Sequence, residues 1–324
     1  MVKLNDIKGP VEKELKEFDH FFESAMRSEV PLLGLIIKYI LRRKGKMMRP
    51  LLVFLTAALN GKINKATYIA AAMIELLHTA TLVHDDVVDA SNMRRGFFSI
   101  NALWKSKIAV LMGDFLLSKG LLIALKNKEH DLLSIMSEAV SEMIEGELLQ
   151  IQKARKLDIN EELYFEIIRK KTATLISSCT ACAAQSVKAS EDIIFKMKEF
   201  GENLGIAFQI RDDLLDFDLK NKSGKPSGND LQEKKLTLPL IHALHQSNRS
   251  EKRRILTIIN KKLNKKDSVA IIHEFVEKYE GIDYAKKVMN EYKSKASDIL
   301  NTYEDSEYKT SLLNLVDFVV ERKI

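Results

Sequence analysis

The chain has 324 residues, 46% of them hydrophobic, with only 5 prolines and 13 glycines, which is the composition of a globular protein long enough to bury a large core. Its 51 basic and 45 acidic residues leave a formal charge of +6, too mild to imply a nucleic-acid partner. The two cysteines, Cys179 and Cys182, exclude a disulfide-built scaffold, and a single CxxC without a second pair does not make a zinc site.

The first residues are charged and polar rather than leader-like, and no run reaches the ~20 apolar residues of a membrane span, so a cytoplasmic protein without a transmembrane segment is expected. Residues 51 to 225 contain no proline, which favours helix. Gly45-Lys46-Met47-Met48-Arg49-Pro50 sets two cations and a proline ahead of a strongly apolar stretch. From Pro50 to Asp89 apolar residues recur at three- and four-residue spacing with few polar breaks, the pattern of a helix buried on most sides. Residues 90–106, with Arg94, Arg95 and Gly96, read as an irregular connection. Helical patterns follow over 107–126, 131–155, 161–188, 191–219, 236–246, 251–262, 267–277, 282–300 and 309–321. The segment 221–230, NKSGKPSGND, is the clearest loop. No segment alternates with a period of two between turn signals, so no sheet is expected. These patterns predict an all-α protein, a single domain over 1–324 with about a dozen helices.

Two clusters carry the chemistry: Asp85-Asp86-Val87-Val88-Asp89 and Asp212-Asp213-Leu214-Leu215-Asp216. On a helix, positions i and i+4 share a face, so Asp85 projects with Asp89 and Asp212 with Asp216. The valines and leucines between them are expected to turn toward the core. Like charges at this spacing repel, and a hard cation relieves them. Mg²⁺ takes one or two carboxylates together with water and phosphate oxygens. The spacing does not fit an EF-hand, and the turn glycine is missing. Basic residues follow each cluster: Arg94 and Arg95 after the first, Lys225 and Lys235 after the second. Cations next to a metal-binding cluster suit a ligand that is both metal-bound and anionic. His78 lies two turns before Asp85 and can face the same cavity.

These segments resemble the trans-type polyprenyl diphosphate synthases. GKMMRP, HTATLVHDDVVDASNMRRG, GELLQ (146–150), RKKTATL (169–175), FQIRDDLLDF and GKPSGNDLQEKKLTLP are similar to family segments, in the family's order, over roughly residues 40 to 240. Outside that range only the helical character matches. The resemblance implies mostly antiparallel helices around a central cavity, with the two clusters facing each other across its mouth. It also implies a homodimer and three Mg²⁺ ions held by Asp85, Asp86, Asp89, Asp212, Asp213 and Asp216. In the implied reaction, an allylic diphosphate ionises and isopentenyl diphosphate adds head to tail. Arg94, Lys171 and Lys235 stabilise the departing diphosphate, with Lys225 also in contact. Thr172 and Gln209 face the cation, and Lys46, Arg49, His78 and Arg95 hold isopentenyl diphosphate. Lys234 stands where the family more often has glycine, which leaves open whether Lys234 or Lys235 reaches the diphosphate.

One turn before Asp85 lie Ala80 and Thr81, positions that bulky aromatics tend to fill in family members that stop at fifteen carbons. Leu77 and Met73 continue the stripe. The expectation is a long product for quinone side chains, made on a tunnel lined by Met73, Leu77, Ala80 and Thr81. The alternatives are a geranylgeranyl or farnesyl diphosphate synthase, and after them a terpene cyclase. A cyclase has no site for a second diphosphate, against which GKMMRP and the second DDLLD argue.

Overall fold

The computed structural model describes residues 3–42, 45–94, 96–154, 160–217, 236–260 and 265–321. The loop 221–230, Arg95, Lys225, Lys234 and Lys235 lie outside the described residues, as does the side chain of Asp216. In chain order the helices are α1 (Leu4–Lys8), α2 (Glu12–Met26), α3 (Pro31–Leu41), α4 (Met48–Asn60), α5 (Lys65–Val88), α6 (Ile100–Lys126), α7 (His130–Ala154), α8 (Glu161–Ile168), α9 (Thr174–Ser186), α10 (Glu191–Asp216), α11 (Leu238–Gln246), α12 (Arg249–Asn260), α13 (Lys265–Lys278), α14 (Gly281–Asn301) and α15 (Glu307–Glu321). The fold is all-α, as the periodicity predicts.

Five departures from the sequence reading have local causes. The apolar run from Pro50 to Asp89 is two helices. Asn64 starts α5, its side chain accepting from Ala66 N at 2.8 Å while its own N–H donates to Thr67 Oγ1 at 3.3 Å. The pattern over 161–188 is broken by a π-helical turn at Arg169–Ala173 between α8 and α9. A small antiparallel ribbon, β1 (Met93–Arg94) and β2 (Phe97–Phe98), forms where no sheet was expected. Gly96 precedes β2 at φ +79°, a backbone state that costs glycine little. Within α6, Lys105 adopts φ 68°, ψ 164°, so regular helix resumes only past it. The expected inward turn of both valines also fails, because Val88 is 69% exposed at the end of α5.

α5 packs along α6, α9 along α10, and α4 lies across α5 and α9, enclosing a core that includes Phe18, Phe54, Ile74, Leu76, Met112 and Phe200. A second apolar cluster joins α8 and the end of α10 to α11–α14, around Ile210, Leu240 and Val276. Cys179 and Cys182 are buried in the first core; burial pushes the Cys179 thiol up to about 12, and Cys182 rises for the same reason. Both thiols are therefore inert packing residues. Two helices, α5 (24 residues) and α6 (27 residues), are long and apolar enough to cross a membrane by length and composition, which corrects the expectation that no run reaches that length. α5 is mostly buried in the core, whereas most of the apolar stretch of α6 is left uncovered.

Candidate active site

The first cluster closes α5. Asp89 caps the helix, donating its N–H to Asp85 O at 2.8 Å, and is exposed. Asp85 is half-buried. Burial, and then the nearby Glu147 carboxylate, push its pKa up, while Lys171 and Arg94 act in the opposite direction. Burial is the larger cause, and the two cations do not fully offset it together with Glu147. Asp86, one residue on, points a third of a turn away and is 4% exposed. Arg94 Nε donates to Asp86 Oδ1 at 2.7 Å. The ribbon that carries Arg94 is tied down beside it: Ser91 N donates to Asp86 O at 2.9 Å, Ser99 Oγ to Ser91 O at 2.7 Å, and Tyr39 OH to Phe98 O at 2.6 Å.

Asp86 and Arg94 line a cavity of about 360 Å³ between α3, α5 and the ribbon, together with Glu75, His78, Tyr39 and Phe98. Gly45 and Met47 form part of its wall. Of the neighbouring cations, Arg49 Nη1 lies 3.9 Å from Glu75 Oε2, and Lys46 Nζ stands 5.7 Å from the centre of the Phe318 ring on α15. His78 lines the cavity that Gly45 and Met47 of the GKMMRP segment border, a cavity reached by Asp86 and not by Asp85.

The second cluster closes α10. Asp212 is exposed, whereas Asp213 is 4% exposed with both carboxylate oxygens engaged. Tyr164 OH donates to Oδ2 at 2.7 Å and Gln209 Nε2 to Oδ1 at 2.9 Å. Gln209 Oε1 in turn accepts from Thr172 Oγ1 at 2.9 Å. These four residues line a cavity of about 150 Å³ with Lys171 and Gln150. The structure thus brings Lys171, Thr172 and Gln209 to the second cluster. It turns the middle aspartate of each cluster inward, away from the exposed flanking carboxylates Asp89 and Asp212.

The π-helical turn makes this convergence possible. It inserts an extra residue into the α8–α9 helix and rotates Lys171 and Thr172 onto one side, as such bulges often do at functional sites. Two glycines admit it. A Cβ on Gly146 of α7 would lie 2.9 Å from Lys171 N, and one on Gly205 of α10 would lie 2.5 Å from Ala173 Cα. Lys171 Nζ donates to Gln150 Oε1 at 2.8 Å and pairs with Glu147. Glu147, Gln150 and Tyr164 are the residues that site reasoning on the sequence missed. The signal was available for two of them: Glu147 and Gln150 are i, i+3 on α7, immediately after Gly146.

Along α5 beneath the first cluster, Ala80, Leu77 and Met73 are buried, and Thr81 Oγ1 donates to His78 O at 2.9 Å. Leu77 and Met73 line a small apolar cavity of about 50 Å³ with Leu117 and Gly120 of α6 and Met136 and Val140 of α7.

Comparison with known proteins shows which family the chain is similar to. The family model for polyprenyl synthetase matches residues 30–276. The chain is 36% identical over 321 residues to an all-trans-nonaprenyl-diphosphate synthase (geranyl-diphosphate specific) of Rhodobacter capsulatus, covering 98% of this chain and 97% of that protein. A polyprenyl synthase from Caulobacter crescentus CB15, crystallised with calcium and isoprenyl diphosphate, superposes with a TM-score of 0.91 at 29% identity, covering 99% of this chain and 98% of that one. A geranylgeranyl pyrophosphate synthase from Bacteroides thetaiotaomicron superposes at 0.84 with 37% identity, covering 98% and 99%. The chain belongs to the polyprenyl synthetase family.

Proposed function

We propose that the chain is a Mg²⁺-dependent trans-polyprenyl diphosphate synthase that extends an allylic diphosphate with isopentenyl diphosphate to a long product. The observation that carries the reaction is the convergence of Asp85, Lys171 and Arg94 in one field, with Thr172 and Gln209 beside Lys171. Among the described residues no three carboxylate, histidine or cysteine groups form a ready-made ion cage. The donor set still fits Mg²⁺, which needs only one or two carboxylates when a diphosphate supplies further oxygens. Burial, and then Glu147, raise the pKa of Asp85, and a cation held beside it would favour its charged form. Asp85, Asp89 and Asp212 would hold the ions, three by resemblance to the family. When bound, Mg²⁺ supplies positive charge beside the diphosphate.

The chain's own residues then divide the work. Lys171 and Arg94 take up the negative charge that builds on the leaving diphosphate as the allylic carbon–oxygen bond breaks. His78, which lines the 360 Å³ cavity, and Lys46 and Arg49, from the segment that borders it, hold isopentenyl diphosphate so that its double bond meets the cation. Arg95, Lys225 and Lys235 join these groups by resemblance. The released diphosphate removes the proton that restores a double bond, so no side-chain base is required.

Ala80 supports a long product, because this buried position one turn below Asp85 carries a methyl group and no bulky side chain to block the way. The path from Asp85 to Met73 is twelve residues, or about 18 Å at the helical rise. It runs to the apolar cavity between α5, α6 and α7. A shorter, geranylgeranyl product is the second reading, favoured by the 37% identity to the Bacteroides protein. The exposed apolar side chains Leu103, Val110, Leu121 and Leu125 of α6, with Ile144 and Leu148 of α7, suit a second copy of the chain packed against them as a homodimer.

The deciding experiment incubates the protein with Mg²⁺, isopentenyl diphosphate and farnesyl diphosphate and sizes the products by chromatography. Products beyond twenty carbons are expected. Products that stop at fifteen or twenty would refute the long-chain reading, and no condensation at all would refute the reaction.

A further inference from the structure

The buried residue Asp213 has a different environment from its neighbours in the second cluster. Both of its oxygens already accept hydrogen bonds, from Tyr164 OH at 2.7 Å and Gln209 Nε2 at 2.9 Å, and it is 4% exposed. A metal ion at this carboxylate would have to compete with both partners for a largely buried side chain, and losing either partner would leave a buried polar group unsatisfied.

The consequences run one way along the chain of bonds. A carboxylate that accepts at both oxygens forces Gln209 to present its amide nitrogen to it, which removes the usual ambiguity in the direction of a glutamine side chain. The carbonyl oxygen of Gln209 then faces Thr172. The Thr172 hydroxyl, at 2.9 Å, must donate its only proton to that oxygen. Its lone pairs are left directed away from Gln209, and Thr172 lines the cavity that Lys171 also lines.

Resting on the reaction proposed above, we infer that Asp213 is a positioning residue rather than a metal ligand. Through Gln209 it holds the Thr172 hydroxyl with its lone pairs toward the allylic cation, and Tyr164 holds Asp213 in place. The aim of a preorganised dipole at developing charge is lost if the dipole can turn round. In Asp213→Asn the new amide can donate to Gln209 Oε1. Gln209 can then flip, and the Thr172 hydroxyl turns to accept from Gln209 Nε2.

The test compares wild type, Asp213→Asn, Tyr164→Phe and, as the metal-ligand reference, Asp85→Asn. Turnover is measured against Mg²⁺ concentration, with an allylic primer and with its fluorinated analogue, whose cation is less stable. Asp213→Asn should lower kcat by about ten- to a hundredfold, with KM values and the Mg²⁺ midpoint within about threefold of wild type. Its rate with the fluorinated primer should fall further than its rate with the plain one. Tyr164→Phe keeps the carboxylate on Gln209 and should lose about three- to tenfold at an unchanged Mg²⁺ midpoint. Asp85→Asn should instead raise the Mg²⁺ midpoint. A midpoint in Asp213→Asn displaced as far as in Asp85→Asn would overturn the inference, as would an unchanged kcat. Should Asp213→Asn fail to fold, Tyr164→Phe decides alone: unchanged kcat, or a displaced midpoint, counts against the inference. Inactive wild type would refute the proposed reaction instead, so the two failures are distinguishable.

Discussion

The two aspartate clusters share the pattern DDxxD, and in both the middle carboxylate is buried, yet the two make different partners. In α10 the residue one turn before Asp213 is Gln209, which reaches forward to it. The corresponding residue in α5, one turn before Asp86, is Leu82, which has nothing to donate. Asp86 therefore takes its partner from outside the helix, the Arg94 guanidinium on the ribbon. One cluster thereby anchors a cation and the other orients a neutral hydroxyl and amide. The comparison teaches that a repeated motif need not repeat a role, because the residue a turn away decides what a buried carboxylate can do.

The comparison can be broken at several points. The largest effect is expected at Asp85, the half-buried first member of the first cluster. Asp85→Ala should lower turnover about a thousandfold or more, measured as kcat in saturating Mg²⁺, since it removes a ligand from the electrostatic centre of the reaction. Near-normal turnover would mean that the flanking aspartates are no more important than surface carboxylates. Next is the packing that serves the second cluster. Gly205→Ala places a Cβ 2.5 Å from Ala173 Cα and must shift the π-helical turn. A displacement of that kind costs about a hundredfold in kcat through misplaced Thr172 and Lys171. An equivalent loss is not expected at Gly34, whose Cβ would meet nothing within 4 Å.

Asp86→Asn keeps the shape but removes the charge that holds Arg94. It should raise KM for a diphosphate substrate about tenfold while leaving the primer's fluorine sensitivity as in wild type. If the two middle aspartates had the same role, Asp86→Asn and Asp213→Asn would give the same kinetic pattern. The helix of the first cluster also forms the tunnel wall. Ala80→Phe should shorten the product while a single condensation continues within about threefold of the wild-type rate. An unchanged product distribution on chromatography would show that α5 is not that wall.

The smallest effect concerns stability. Burial and Glu147 hold the Asp85 pKa above the ordinary carboxylate value, so ionising Asp85 costs the metal-free fold stability. The cost is present above the raised pKa and disappears as pH falls below the unfolded value. In EDTA at pH 7, Asp85→Asn should therefore raise Tm by roughly a few degrees, and the gain should fade toward about pH 4. A lower Tm at pH 7 would show that Lys171 and Arg94 already satisfy this carboxylate without metal.

Much of the molecule is written locally. The helical period, the scarcity of proline and the i, i+4 spacing of Asp85 with Asp89 follow from sequence alone, because each depends on residues within one or two turns. So did the all-α class, and the order of GKMMRP, DDVVD, GELLQ, RKKTA and DDLLD was enough to point to the family. Three things were not legible. The division of 50–89 into two helices depends on how strongly Asn64 and Thr67 cap against a continuous apolar run. The ribbon at 93–98 is too short to show a period. The π-helical turn exists because Gly146 and Gly205, from two other helices, leave room for it.

Sequence by itself determined which residue types are present at the site, and that a hard cation and an anionic substrate suit them. Only the tertiary structure decided which carboxylate faces outward. Helical geometry places Asp212 and Asp213 about 100° apart whatever the fold. The direction of the core, set by how α8 and α10 pack, buried Asp213 against Tyr164 and left Asp212 exposed.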